Sequence, residues 1–490
     1  MAAGVRTSDE GTGRRVVDVV VVGGGLAGLT AAATAAGAGR SVVVLDGGPG
    51  GNRAVTETVG RFLFNRGAHA LYRKGAGRRV LAGLNVRVTG ARPPLRGGMG
   101  RRGDVVDRLP LGPVSLARSR LVSGRGLARL ARVMAGMPRW RPDALADRTA
   151  AAWFDELGLD GDERQVVEML ARTATYVSDL EAASADLVAS QVRLAALGNV
   201  DYLDGGWQTL LDGLAAVGER GGVERVAAAA RAVVPEGRLV RVEVAPARNG
   251  TRSRAADAAP TGSGSTLLAG AVVVASGAPD AMTAVLPERP AAWAGLAGPV
   301  HVACLDLGLA APPATRVLLG VDRPLYLICH APPARLAPAG GAVVHGLRYL
   351  GNDESPTPVE LRDELEGHAR LAGVEPDRAE VARYRHRMVS CGALPTPATG
   401  GLAGRPGVAS AGLDGVFVAG DWLGPGAHLA DAALASGEEA GRRAAARADA
   451  RRRPVVAATP SGVEGGEDPA RHRIRDQGRD EAASGRSADG

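Results

Sequence analysis

Residues 18–46 read DVVVVGGGLAGLTAAATAAGAGRSVVVLD. The order is a short apolar run, a glycine turn, a small-residue segment and a second apolar run that ends in a carboxylate. This pattern predicts a buried strand, a tight turn, a helix packed closely on a sheet, and a second strand. Within the GxGxxG spacing, Gly23 permits the turn, Gly25 lets the backbone approach a pyrophosphate, and Gly28 permits close helix packing. The stretch therefore predicts a dinucleotide-binding βαβ unit.

A carboxylate at the end of the second predicted strand completes the pattern. Asp46 follows the glycine turn by about 20 residues, the distance at which an acid reaches the ribose hydroxyls of a dinucleotide. The predicted helix begins around Leu26 and Ala27, and its free N–H groups and positive dipole end face the phosphates. GxGxxG alone is a weak signal in a chain with 70 glycines. Strand, helix, strand and acid in this order make it specific.

Composition excludes several other classes of protein. The 490 residues suffice for two or three domains, and the formal net charge is +7. The cationic residues are arginines scattered among acids, with Lys74 the only lysine, so nucleic-acid binding is not indicated. Three cysteines without a CxxC pair predict no metal site and fit a reducing compartment. Because no signal-peptide pattern and no run of about 18 apolar residues is present, we expect a cytoplasmic protein.

Glycine turns divide the chain into alternating pieces. One nucleotide-binding domain is predicted from three separated stretches, 16–76, 201–290 and 404–448. The third stretch contains a buried strand, the pair Gly420-Asp421 and a small-residue helix. A second, substrate-facing domain is predicted from the stretches between them, 77–200 and 291–403.

The two ends and one internal stretch lack the pattern of folded elements. Residues 1–15 and 449–490 are polar and mixed in charge, and we predict that both are disordered. Residues 246–265 are rich in glycine, serine and alanine and separate two strand-like runs. They predict a long hairpin loop.

Five ordered blocks carry a resemblance to a known family. They are VVVVGGGLAGLTAA at 19–32, FLFNRGAHALY at 62–72, YLDGGWQTL at 202–210, VVVASGAP at 272–279 and VFVAGDWLGPGAHLADAALASG at 416–437. The set resembles the FAD-dependent oxidoreductases that include phytoene desaturases, protoporphyrinogen oxidases and flavin amine oxidases, and most of all the phytoene-dehydrogenase-related branch. The resemblance implies an α/β fold in which a discontinuous Rossmann-like FAD-binding domain, of the GR2 type, interleaves with an α+β substrate domain.

The resemblance also implies noncovalent FAD and a set of residues that hold it. The pyrophosphate and adenosine half would be held by Gly23, Gly25, Leu26, Ala27, Gly28 and Asp46. The flavin half would be approached by Gly420, Asp421, Leu429 and Ala430, with the backbone up to Asp431 near the isoalloxazine. Val233 is assigned to the strand that gives backbone contacts to adenine.

One block departs from the family pattern. The family commonly has GGR after the second strand, with the arginine close to the phosphates. This chain has Gly50-Gly51-Asn52-Arg53 instead. Gly51 and Arg53 fill the role after a shift of one residue, and the alternative for Arg53 is a solvated surface arginine.

The chemistry implied is hydride transfer to the flavin, which needs few protein groups beyond those that bind and orient. We expect an oxidoreductase of the desaturase or dehydrogenase type, acting on a largely apolar substrate such as an isoprenoid or carotenoid precursor. Oxygen or a quinone would accept the electrons. His69 and His428 lie in blocks expected near the flavin and are weak catalytic candidates, each equally compatible with a structural role. Cys391 is compatible with a flavin linkage but is better explained as a small apolar side chain.

Other functions stay open at this point. An amine oxidase or a protoporphyrinogen-oxidase-like enzyme is the main alternative. It is disfavoured because such amine oxidases often use a lysine near the flavin and an aromatic cage, whereas Lys74 lies outside the substrate strands and only Trp422 follows the Gly-Asp pair. A non-redox prenyl-protein binder, as in the Rab escort and GDP-dissociation-inhibitor proteins, and a flavin-dependent isomerase are lower alternatives.

Residues 108–140 form a cationic amphipathic segment. Leucines, methionines and a valine alternate there with arginines. Such a segment can lie on the anionic inner face of a membrane, where a lipid-soluble substrate would enter. The alternative is an ordinary helix of the substrate domain whose basic face is solvated.

Overall fold

The computed structural model describes residues 15–47, 53–93, 97–246 and 265–452. Gly51, most of the predicted hairpin loop and nearly all of both predicted disordered ends lie outside the described residues. At the margins of those ends, Arg15 begins a strand and the last helix continues to Arg452.

The helices and strands follow one another with short connections. The α-helices of the described residues are α1 (Leu26–Gly37), α2 (Ala76–Gly83), α3 (Pro113–Arg118), α4 (Gly124–Gly136), α5 (Ala150–Glu156), α6 (Asp162–Thr175), α7 (Ala185–Gly198), α8 (Gln208–Arg220), α9 (Pro279–Thr283), α10 (Pro358–Leu371) and α11 (Leu429–Arg452). The strands are β1 (Arg15–Val22), β2 (Val42–Leu45), β3 (Thr56–Val59), β4 (Phe62–Asn65), β5 (Leu71–Tyr72), β6 (Gly90–Ala91), β7 (Met99–Arg102), β8 (Val105–Arg108), β9 (Val200–Leu203), β10 (Glu224–Val226), β11 (Ala228–Glu236), β12 (Leu239–Pro246), β13 (Thr266–Val274), β14 (Val300–Leu309), β15 (Val317–Gly320), β16 (Leu325–Ala331), β17 (Ala342–Leu350), β18 (Val381–Cys391) and β19 (Val416–Val418).

The first large sheet has the order β10-β2-β1-β13-β12-β11, with β19 beside β13. Strands β10, β2, β1, β13 and β19 are parallel, and β11, β12 and β13 form an antiparallel meander. The central parallel strands are continuous apolar runs because elements cover both of their faces. Helices α1, α8 and α11 cover one face. All strands of this sheet come from the three stretches assigned to the nucleotide-binding domain.

Helices α1 and α11 cross with their backbones almost in contact. A Cβ on Gly437 would overlap the carbonyl oxygen of Ala27, and one on Gly441 would overlap that of Ala31. The small residues of α1 therefore serve its contact with α11 as well as its contact with the sheet. Glycine at these helix positions costs roughly 1 kcal/mol of helix propensity each, which the close packing offsets.

The second large sheet has the order β18-β14-β17-β16-β15-β7-β8 and is antiparallel except between β15 and β7. Helix α10 covers one face. Helices α4 to α7 and the aromatic residues of β4 lie on the other. Its strands come from the stretches assigned to the substrate domain, while the domain limits themselves stay a prediction.

The cationic amphipathic segment is helical and packs inward. In and around α4, Leu121, Leu130, Val133 and Met137 are buried in the core of the second domain. These four residues therefore do not form an exposed apolar face, whereas Val114 of α3 is 65% exposed, and contact of the segment with a membrane stays a prediction. Among the described residues, none of the helices is both long and apolar enough to cross a bilayer.

Candidate functional site

The carboxyl ends of four parallel strands lie side by side at one edge of the first sheet. Val22 pairs in register with Leu45 on one side and with Val274 on the other, and Val274 pairs with Val418. The residues that follow these four include the two glycine turns and the acid found in the sequence. Cofactors of open α/β sheets bind at this kind of edge, so the fold gathers the predicted cofactor residues in one place.

The first glycine turn contains two glycines that the fold requires. Gly23 has φ +111°, and a Cβ there would overlap the carbonyl oxygen of Ala275. A Cβ on Gly28 would overlap the carbonyl oxygen of Gly23. Gly25, the N-cap of α1, has φ −81° and ψ −175°, which any residue adopts. The backbone angles of Gly25 therefore do not require glycine.

Asp46 lies directly over this turn. Its carboxylate occupies the space into which a Cβ on Gly24 would project, so Gly24 is fixed by Asp46. The side chain is 26% exposed, and Arg225 on β10 approaches it to 3.6 Å. A partly exposed carboxylate beside free N–H groups at the start of α1 suits a ribose with its adjoining pyrophosphate. The residues present here fit FAD.

The second glycine turn contains an ion pair between two of the predicted cofactor residues. Asp421 is buried and accepts hydrogen bonds from Arg53 Nη1 and Nη2, both at 2.8 Å, and from the Gly392 amide at 3.0 Å. Burial alone would raise the pKa of the Asp421 carboxyl, but Arg53 holds that pKa below its ordinary value. The Asp421 carboxylate is thus engaged with protein, and the placement of Arg53 near the phosphates stays a prediction.

A buried arginine that sequence reasoning missed holds the loop after Asp421. The Arg405 guanidinium donates to the carbonyl oxygens of Trp422 at 2.8 Å and Ala427 at 2.7 Å, and also to that of Asp421. It is 7% exposed. These bonds fix the chain between the Gly-Asp pair and α11. A lone arginine in a glycine-rich loop gave no sequence signal for this role.

The start of α11 is fastened to the start of α2. Leu429 has φ +51°, and it and Ala430 are half-buried, which leaves their backbone at the surface of the site. The Asp431 carboxylate accepts a hydrogen bond from the Gly77 amide at 2.8 Å and also fills the space beside Gly75. Burial raises the pKa of Asp431 to about 6.

We expect Asp431→Asn to stabilise the protein by about 2 kcal/mol at about pH 8 and very little at about pH 4. The folded state holds the Asp431 proton more tightly than the unfolded state, whose pKa is near 3.8. The free energy of unfolding therefore falls as pH rises from about 4 to 6. Asparagine removes this loss and still accepts a hydrogen bond from the Gly77 amide. Urea unfolding at both pH values measures the change in the free energy of unfolding. Equal effects at both, or the same gain from Asp377→Asn, whose side chain is 82% exposed, would contradict the assignment.

Both candidate histidines have backbone partners. His428 is fully buried, and its Nε2 lies 3.0 Å from the Thr175 carbonyl oxygen. The Nδ1 of His69 lies 3.0 Å from the Gly67 carbonyl oxygen, and its ring packs edge-on against Trp207. Burial lowers the pKa of each to about 4, so both rings are neutral near pH 7. One ring nitrogen of each histidine is thus held by the backbone, and a catalytic role for either stays a prediction.

Cys391 and Val233 are both committed to internal contacts. The Cys391 thiol donates to the Ala393 carbonyl oxygen at 3.2 Å, and burial raises its pKa to about 12, which disfavours the thiolate that a flavin linkage needs. Val233 is buried, and its amide donates to the Val285 carbonyl oxygen at 2.7 Å. The residue of β11 that lies beside the end of β2 is Ala229, next to Gly47. The assignment of adenine contacts to Val233 stays a prediction.

The inner face of the second sheet carries a group of aromatic side chains that the sequence did not suggest. Five of the six tyrosines lie in one group at the inner face of the second sheet: Tyr72, Tyr176, Tyr202, Tyr326 and Tyr349. They come from β5, β9, β16, β17 and the end of α6, so no local motif announces them. Lys74, in contrast, is exposed beside the end of α7.

Comparison with known proteins supports the same fold. A family model described as an NAD(P)-binding Rossmann-like domain matches residues 21–84. No curated protein matches significantly. Cyclohexylamine oxidase from Brevibacterium oxydans is 17% identical over 89% of this chain and 100% of its own, with a TM-score of 0.65. An oxidoreductase from Methanosarcina mazei is 17% identical over 86% and 99%, with a TM-score of 0.64.

A third solved structure has a different printed function. Rab GDI from Plasmodium falciparum is 12% identical over 87% of this chain and 98% of its own, with a TM-score of 0.53. At these identities the likenesses show the fold alone. They confirm the predicted mixed α/β class with a Rossmann-like dinucleotide-binding domain, which this chain shares with oxidoreductases.

Proposed function

We propose that the chain is a FAD-dependent oxidoreductase that removes hydride from a largely apolar substrate of the isoprenoid or polyene-precursor class. The observation that carries the proposal is the first glycine turn. The backbone angles of Gly25, the N-cap of α1, do not require glycine, and the adjoining Gly24 contacts Asp46. Close approach of a dinucleotide pyrophosphate would account for glycine at this position. When bound, the flavin accepts the hydride and passes the electrons to oxygen or a quinone.

The roles of the chain's own residues follow from their positions. The amides at the start of α1 bind the pyrophosphate, and Asp46 binds the adenosine ribose. The backbone of Leu429 and Ala430 orients the isoalloxazine against the second domain. Arg53 and Asp421 fix the second glycine turn. The tyrosine group and the apolar core around it exclude water from the substrate side.

A second candidate, flavin-dependent amine oxidation, is favoured by the similarity to cyclohexylamine oxidase. The tyrosine group provides aromatic side chains for the aromatic cage of an amine oxidase, which the sequence did not suggest. Against this candidate, Lys74 is exposed and the described residues around the tyrosines include no other lysine. The similarity to Rab GDI raises a non-redox binder as the alternative outcome. A non-redox binder needs neither an acid that binds ribose, such as Asp46, nor glycine at position 25.

The cofactor is tested on the purified protein. We expect a yellow protein whose flavin is released completely by acid precipitation, because the Cys391 thiol is buried and protonated. The released compound should be FAD by chromatography. Colour that stays in the pellet of the wild type and leaves it in Cys391→Ala would show a covalent link. A colourless protein that does not bind added FAD would overturn the proposal in favour of a binder.

The substrate class is tested by anaerobic reduction of the bound flavin. Polyene precursors, porphyrinogens, and primary and secondary amines are each added without oxygen, and bleaching of the oxidised flavin is followed. We expect bleaching by the polyene precursors and recovery of colour with oxygen or a quinone. Bleaching by amines alone would establish the second candidate. Porphyrinogens alone would indicate a protoporphyrinogen-oxidase-like enzyme.

A further inference from the structure

Three neighbouring strands of the second sheet each place one ionisable side chain on the same buried face. Asp306 on β14 lies directly across from His345 on β17, which pairs in turn with Ile328, two residues before His330 on β16. Alternate residues of these strands face opposite sides of the sheet. The opposite face packs on α10 through mostly apolar residues, with Arg348 of β17 paired to Glu364 of α10. Asp306, His345 and His330 therefore lie together on the face that points away from α10.

Asp306 and His345 form a tightly held pair. The His345 Nδ1 lies 2.6 Å from Asp306 Oδ1, and both side chains are fully buried. The Cys304 thiol donates to the same oxygen at 2.9 Å, and the Arg385 guanidinium donates to Oδ2 at 2.7 Å. A carboxylate only accepts hydrogen bonds, so in the neutral ring the proton is on Nδ1. The His345 Nε2 is then an oriented acceptor.

Two imidazole nitrogens of this group have no hydrogen-bond partner among the described residues. They are Nε2 of His345 and Nδ1 of His330, whose rings are 4.6 Å apart between centroids. His330 is held from its other side, since its Nε2 lies 3.0 Å from the Tyr326 hydroxyl and its ring stacks on Tyr202 at 3.8 Å. Leaving a buried polar atom unpaired costs roughly 1–3 kcal/mol. Both nitrogens are fully buried, so a ligand that bonds to them reaches them only when neighbouring side chains move.

A metal ion does not meet this need. The ligand atoms of Cys304, Asp306 and His345 do lie within 4.8 Å of one another. However, the Arg385 guanidinium already supplies the cation that Asp306 requires. Burial, together with Asp306, also raises the pKa of the Cys304 thiol well above its ordinary value, so it is a poor metal ligand.

The group borders the segment expected beside the flavin. A Cβ on Gly67 would lie 3.5 Å from the Cys304 sulfur, so the 62–72 block packs directly on β14. His69 of the same block is within electrostatic range of both Arg53 and His345. Tyr326 and Tyr202 continue the tyrosine group on the other strands. The unpaired nitrogens thus lie in the part of the second domain that faces the cofactor site.

We propose that His345 Nε2, oriented by Asp306, binds a hydroxyl or amine N–H carried by an otherwise apolar substrate, with His330 as the adjoining polar contact. The inference rests on the proposed function for the claim that this ligand is the substrate. His345 is the group that touches the ligand, and Asp306 is a positioning residue. The site selects a molecule with a hydrogen-bond donor in place of a pure hydrocarbon.

The test is isothermal titration calorimetry with geraniol, geranylamine and geranyl methyl ether, which share one chain and differ in the donor. We expect geraniol or geranylamine to bind about tenfold more tightly than the ether, the size of one hydrogen bond. His345→Leu should remove that preference, and His301→Leu, a control on the neighbouring strand β14, should keep it. Thermal unfolding checks that each variant is folded.

The wild-type comparison decides the matter even if His345→Leu fails to fold. Equal binding of the three probes, or binding of none, would overturn the inference. Retention of the preference in folded His345→Leu would also overturn it. FAD content is measured on the same preparations, so the two proposals fail separately. FAD-loaded protein without the preference contradicts only the donor site, and flavin-free protein with the preference contradicts only the oxidoreductase.

Discussion

A Gly25→Val variant is expected to fold like the wild type and to purify without FAD. Gly25 has backbone angles that valine adopts, and its side-chain position is at the N-terminus of α1. A branched side chain there stands where the backbone must approach the pyrophosphate. We expect FAD affinity to fall by at least about 100-fold, equivalent to about 2.7 kcal/mol. The flavin-to-protein ratio after dialysis against FAD measures the loss.

Two other glycines of α1 are the matched controls. A Cβ on Gly37 meets nothing within 4 Å, so Gly37→Val should keep both fold and FAD. Gly28→Val should fail to fold, because its side chain would overlap the Gly23 carbonyl oxygen. Thermal unfolding separates the two effects. A folded Gly25→Val protein with full FAD occupancy would contradict the placement of the pyrophosphate at this turn.

The βαβ unit could be predicted because its constraints are local. The turn at Gly23, the close packing of Gly28 and the acid after β2 each depend on residues that are near in sequence or on strand order alone. Apolar runs bounded by glycine then predict the parallel strands with little ambiguity. What the sequence could not show is that α1 is small-residue along its length chiefly because α11 crosses it.

The ion pair at the second turn could not be predicted from the sequence. Arg53 and Asp421 are 368 residues apart, and each has a plausible separate role in a cofactor site. Only the three-dimensional arrangement shows that the two side chains form an ion pair with each other. Strand β11 shows a similar limit on a smaller scale, because its register with β12 shifts between Ala230 and Ala232 and the sequence pattern does not show this shift.

The donor site of the second domain was hidden for a related reason. Asp306, His330 and His345 are isolated polar residues in three mostly apolar strands, and each alone is an ordinary exception. These three side chains lie close together because of the strand order and register of the sheet, and the local sequence around each residue shows neither. A signal was present, however. A charged residue inside a fully buried strand needs a hydrogen-bonding or ionic partner, so Asp306 in the sequence predicts that such a partner lies nearby.

The second large effect is expected for Asp421→Ala, which should weaken FAD binding by one to two orders of magnitude and lower the stability of the protein by about 2–3 kcal/mol. Removing the carboxylate leaves Arg53 without its ion-pair partner and the Gly392 amide without its acceptor. The stability loss stays at the lower end for a broken ion pair because the Arg53 side chain is 39% exposed. FAD titration and urea unfolding measure the two effects.

The double variant Arg53→Ala with Asp421→Ala tests whether the pair acts as a unit. We expect it to lose less stability than the sum of the single variants, because removing the guanidinium as well takes away the unpaired charge. Flavin-saturated Asp421→Ala should turn over near the wild-type rate, since both oxygens of Asp421 are already bonded to protein and act on the turn that holds FAD. Strictly additive losses would mean that the two residues contribute separately. Normal FAD binding with lost turnover would instead make Asp421 a catalytic residue, since only contact with reacting atoms separates chemistry from cofactor retention.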